Sequence, residues 1–92
     1  MLQKIYDALM KKWEQYDEDY TPLITVCSTG VGVTRLLVDA KLTGKTLELT
    51  LDSDEDAHVR LTNPDHVVDH LDDIGVLYIG LNDGYIEIRF DR

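Results

Sequence analysis

Apolar side chains return every three or four positions at the start of the sequence: Leu2, Ile5, Tyr6, Leu9, Trp13 and Tyr16. That period places them on one stripe of an amphipathic helix over 2–17, with Gln3, Lys4, Asp7, Lys11 and Glu14 off it. The Asp17-Glu18-Asp19 run and Pro22 end the helix.

Beyond it the period shortens to two. Residues 23–28 are rich in branched side chains, and Thr29-Gly30 offers a turn. Two alternating runs within 33–51 are broken at Thr43-Gly44. A two-residue loop there pairs Ala40 with Leu47, Val38 with Leu49 and Leu36 with Leu51, all on one face. Ile24, Val26, Val33 and Leu37 then share the opposite face. The same register sets Asp39 against Glu48. Like charges directly opposite are unfavourable, so a bulge is expected to change the pairing. Helical spacing also fits Val33, Leu36, Leu37 and Ala40, so strand and helix both stay open over 33–40.

Residues 52–56 make an acidic loop and 58–61 a short strand. Asn63-Pro64 reads as a helix cap followed by proline at the first helical position, which predicts a short helix to about residue 73. Val67, Val68, Leu71 and Ile74 lie on one side of it, and Gly75 stops it. Two last runs, 76–81 and 85–90, flank Asn82-Asp83-Gly84. A turn at Asp83-Gly84 pairs Leu81 with Ile86, Ile79 with Ile88 and Leu77 with Phe90. Tyr78, Gly80, Glu87 and Arg89 take the other face.

The pattern predicts an α+β fold in one compact domain over 1–92: an N-terminal helix, an antiparallel three- to four-stranded meander, a short helix and a C-terminal β-hairpin. This element order is loosely similar to that of type III secretion chaperones, which are small, acidic and usually dimeric. By that analogy the chain would hold an unfolded segment on its sheet, through Ile24, Val26 and Leu37.

Charge narrows the functional classes. The 92 residues carry 18 acidic and 9 basic side chains, a formal charge of −9 that repels nucleic-acid phosphates and suits a basic protein partner, plain high solubility or a salt-adapted host, three readings that composition does not separate. Cys27 is the single cysteine, so no intramolecular disulfide forms and a cytoplasmic setting is expected. Lys4, Asp7, Lys11 and Lys12 interrupt any signal-peptide pattern, and no run approaches the ~20 apolar residues that span a bilayer.

Four segments invite a chemical reading. Cys27-Ser28-Thr29-Gly30-Val31-Gly32-Val33-Thr34-Arg35-Leu36-Leu37 resembles the phosphocysteine loop of phosphotransferase-system IIB domains. That resemblance implies a strand ending in a nucleophilic Cys27, a loop shaped by Gly30, Gly32 and Thr34, and a helix whose N-terminus holds phosphate. The plainer expectation is a packed strand residue at Cys27. His66-Val67-Val68-Asp69-His70 sets two imidazoles one helical turn apart, a spacing that can hold zinc, but a convincing third ligand is missing. It also echoes the H-x-x-E-H pattern of inverzincins, with aspartate for glutamate; a solvated helix face is the favoured reading. Asp52-Ser53-Asp54-Glu55-Asp56 starts like a calcium loop, yet Ala57 and Asn63 stand where glycine and glutamate are needed. Gly44-Lys45-Thr46 resembles the end of a phosphate-binding loop whose first glycine would fall at Asp39. No metal site, no cofactor and no catalytic set is therefore expected.

The remaining candidate is surface. Asp52, Asp54, Glu55, Asp56, Asp65, Asp69, Asp72 and Asp73 cluster in sequence and would form one negative patch if the acidic loop packs beside the second helix. The expectation is a non-enzymatic module that binds a basic protein surface without touching nucleic acid or membrane. One specific form is a mobile-element inhibitor of the anti-CRISPR or DNA-mimic type. Apolar residues on both sheet faces add the expectation of a homodimer or a partner covering one of them.

Overall fold

The computed structural model describes residues 1–28, 30–52 and 57–90. One helix, α1 (Leu2–Trp13), precedes seven strands: β1 (Leu23–Ser28), β2 (Val31–Thr43), β3 (Thr46–Leu51), β4 (Ala57–Leu61), β5 (His66–His70), β6 (Val76–Gly80) and β7 (Gly84–Arg89). All strand pairs are antiparallel, in the order β4-β3-β2-β1-β7-β6-β5. Strands take 54% of the described residues and the helix 14%, so the molecule is mostly β, not the expected α+β arrangement with two helices.

The second helix is the main correction. His66-Val67-Val68-Asp69-His70 is β5, paired residue by residue with β6. Each of these residues is a weak helix former, and a neighbouring strand supplies ladder hydrogen bonds that so short a helix would leave unmade. The Asn63-Pro64 signal therefore marks the link into a strand. Gly75 does end a turn: the amides of Ile74 and Gly75 both donate to the His70 carbonyl, at 2.9 and 3.0 Å, and Gly75 has φ +73°.

Residues 33–40 belong to one long strand, which settles the strand-or-helix alternative. β2 is continuous through 13 residues, but its register against β3 shifts between Leu37 and Asp39. The turn lies at Gly44-Lys45, one residue later than expected, so Ala40 faces Leu49, Leu42 faces Leu47, and Lys41 meets Glu48 in place of Asp39. Beyond the irregularity Leu37 faces Leu51. An extra residue in one strand exchanges its two faces. Leu37, Ala40, Leu47 and Leu49 consequently share one buried face, whereas the simple register put Leu37 opposite the other three. Val38 is left exposed at the bulge.

The inner face carries Ile24, Leu37, Leu47, Leu49, Leu77, Ile79, Ile86 and Ile88, all nearly inaccessible. α1 packs its stripe on them through Ile5 and Leu9. The helix stops at Trp13, earlier than residue 17, and a short tertiary clasp takes over. Tyr16 stacks on Phe90 and Tyr20, at 5.5 and 4.3 Å between ring centres, and Trp13 Nε1 donates to the Tyr20 carbonyl at 3.0 Å. Each such ring pair adds about 0.5–1.5 kcal/mol beyond area burial.

The sheet must curl around this core. The Asp65 amide donates to the Gly80 carbonyl on β6 at 2.7 Å, only four residues after β4 ends at Leu61. A chain of that length reaches about 14 Å, whereas five flat strand spacings from β4 to β6 need about 24 Å. The bend brings the end of β4 and the link after it, Val59 to Pro64, beside Leu81, Asn82 and Asp83 around a shared cavity.

Candidate interaction surfaces

Strand parity decides which side chains meet solvent. On the outer face β1 and its neighbours present Leu23, Leu36, Thr25, Thr34, Cys27 and Tyr85, and no helix covers them. Leu23 and Leu36 sit opposite each other, but Thr25 and Thr34, joined at 3.0 Å, flank them, and Arg89 and Glu87 follow on β7. This is a mixed surface, not a broad apolar patch. Ile24 and Leu37, which the chaperone analogy would use, are 1% and 0% exposed. Val31, Val33 and Val38 on β2 are also exposed, so apolar surface that a second copy or a partner could cover remains around β1 and β2.

Cys27 lies in β1, half-buried, with Gly32 and Tyr85 as its neighbours across the two adjoining strands. The segment after it returns as β2, so the helix N-terminus required for a phosphocysteine loop is not formed; Thr29 lies outside the described residues. His66 and His70 occupy the same face of a strand, about 13 Å apart, too far to share a metal ion. Each has its own carboxylate: Asp65 at 3.0 Å from His66, Asp73 at 3.9 Å from His70. The His66 ring sits against Gly80, where an added Cβ would meet it, and is tilted by 38° to Tyr78, which stacks on Tyr85. Among the described residues no group of three metal-ligating side chains converges.

The candidate acidic residues divide. Asp54, Glu55 and Asp56 lie outside the described residues. Asp52 is exposed at the end of β3, with its amide on the Leu36 carbonyl. Asp65, Asp69, Asp72 and Asp73 are exposed along β5 and the turn after it. Four strands, β2, β1, β7 and β6, separate Asp52 from that group. The packing of acidic loop against second helix is thus replaced by an acidic strand at one sheet edge and a separate carboxylate across the sheet.

A groove that local pattern did not reveal runs between this edge and α1. One part, about 310 Å³, is lined by Met1, Lys4, Ile5, Ala8, Val67, Asp69 and Leu77. A second part of about 190 Å³ continues past Ala8 and Asp69 to Lys11, Lys12, Leu71 and Asp72. Three elements distant in sequence build it, so its only trace in the sequence is the alternation that turns Val67 and Asp69 to one side of β5. Across the described residues no helix is long and apolar enough to cross a membrane. Comparison with protein-family models, curated proteins and solved structures finds no match to this chain.

Proposed function

We propose that the protein is a non-enzymatic binding module for a basic protein, acting through the acidic edge formed by β5 and its following turn. The observation that carries this reading is the exposure of Asp69 on the edge strand β5 and of Asp65, Asp72 and Asp73 in the segments that flank it, in a chain with charge −9. Clustered carboxylates steer a basic partner into encounter and raise its association rate. The same reading places the protein in the cytoplasm, where the free thiol of Cys27 stays reduced. Its narrowest form is an inhibitor that fills the basic nucleic-acid channel of an enzyme, which rests on size and charge.

Affinity capture from the native host at low salt tests it, run in parallel with the variant carrying Asp65→Asn, Asp69→Asn, Asp72→Asn and Asp73→Asn. The expected result is a partner retained by the natural protein, released as salt rises, and lost from the variant while its melting temperature holds. A partner held equally by both proteins, or indifferent to salt, removes the acidic edge as the contact. Duplex DNA that displaces the partner supports the inhibitor form.

A further inference from the structure

We infer that the open edge of β5, with the groove beside it, takes an extended segment of a partner protein as an added antiparallel strand, reading a basic residue opposite Asp69 and an apolar one opposite Val67. This deepens the acidic-edge reading and rests on it. β5 is the last strand of the sheet. The Leu81–Gly84 and Gly75–Phe90 hydrogen bonds fix which residues of β6 face β7: the odd-numbered ones. The even-numbered ones therefore face β5, where they pair with His66, Val68 and His70. By the alternation of antiparallel ladders, the N–H and C=O groups of Val67 and Asp69 point away from the sheet. Among the described residues no backbone group bonds to them from that side.

Such an edge is a template for a further strand, and edge addition beside a helix is a recurrent mode of peptide capture. Here the groove states what the strand should carry. Val67 and Asp69 turn their side chains toward α1, so a residue paired with Val67 projects into the cavity bounded by Ile5, Ala8 and Leu77. That position selects an apolar side chain. The residue paired with Asp69 sits beside that carboxylate, in a cavity that Asp72, Lys11 and Lys12 also line, and the cross-strand carboxylate selects lysine or arginine. In an antiparallel strand the order is basic, any residue, apolar. Lys4, Lys11 and Lys12 on the helix wall would attract an acidic residue instead, so a basic preference requires the added strand to lie nearer β5 than α1.

A labelled threonine-rich peptide with Lys-Thr-Val at its centre is the probe, titrated against the whole protein at low salt and read by fluorescence polarisation. Binding with a Kd of about 1 mM or tighter is expected. Methylating the amide nitrogens of its Lys and Val, or replacing that Lys by Glu, should each weaken binding at least about tenfold, a loss near 1.4 kcal/mol. On the protein side, Val67→Pro removes the outward N–H where an edge strand tolerates proline, and should abolish binding. No saturable binding, equal binding of the methylated peptide, or preference for Glu overturns the inference; the peptide arms decide even if the proline variant fails to fold. Sedimentation of the protein alone completes the test. A dimer abolished by Val67→Pro means that a second copy takes the edge, which also overturns it. If Val67→Pro folds and keeps the partner captured from the host while the fourfold Asn variant loses it, the strand-addition idea fails and the acidic contact stands.

Discussion

In the β6–β7 hairpin the ladder runs unbroken from turn to strand end, and Leu77, Ile79, Ile86 and Ile88 stay on one side throughout. In the β2–β3 hairpin the parity changes halfway, at the bulge beside Val38. Both turns fall one residue from the position that dipeptide preference indicates: at Asn82-Asp83 instead of Asp83-Gly84, and at Gly44-Lys45 instead of Thr43-Gly44. Moving a turn by one residue moves the cross-strand partners by two, which preserves faces. An inserted residue moves them by one, which exchanges faces. The bulge therefore reorganised the core, whereas the displaced turns did not.

The displaced turns have visible causes. Gly84 is needed inside β7, because it pairs with Ser28 and a methyl group there would collide with the Cys27 carbonyl. The turn that remains is tied to β1 by Ser28 Oγ and Asp83 Oδ2, 3.0 Å apart. In the other hairpin the shift exchanges the Asp39–Glu48 opposition for Lys41–Glu48, and Arg60 Nε adds a contact to the same carboxylate at 3.2 Å.

Substitutions can break or sharpen this contrast. The largest effect should come from the residues next to the bulge. Leu37 is 0% exposed and Leu36 38%. Leu37→Ala should lower unfolding free energy by about 2–5 kcal/mol. Leu36→Ala should change it by under about 1 kcal/mol. Urea denaturation of both variants decides; the reverse order would mean that β2 is not bulged. Next come two glycines. Gly84→Ala should destabilise by about 1–3 kcal/mol, since backbone must move to admit the methyl. Gly44→Ala meets open space and has only its φ of +57° to overcome, about 1 kcal/mol. Equal losses would contradict the close β1–β7 approach. The smallest effect tests charge: Lys41→Glu restores a like-charge pair opposite Glu48 and should lower stability by about 0.2–1 kcal/mol, diminishing in high salt. A salt-independent loss would assign the effect to something other than the cross-strand pair.

Legibility followed the range of the physics involved. The helix start, the stripe through Ile5 and Leu9, the alternation in 76–81 and 85–90, and the unfavourable Asp39–Glu48 opposition are all short-range, and each could be read. The β5 segment could not, because Asn63-Pro64 and the spacing of Val67, Leu71 and Ile74 mimic a helix, and only the presence of β6 beside it favours the strand. The acidic residues were legible as a group, but the separation of Asp52, after β3, from Asp69 on β5 follows from strand order, which local pattern does not contain. The groove between α1 and β5 was invisible for the same reason.

What the sequence determined alone was local: charge, a lone thiol, the position of one amphipathic helix, and which stretches alternate. Tertiary structure decided the rest: β5 over a second helix, the parity of Leu37, and the edge on which Asp69 stands. Alternation names two faces without saying which is inside, and one inserted residue, favoured by charges and packing across strands, reverses the answer.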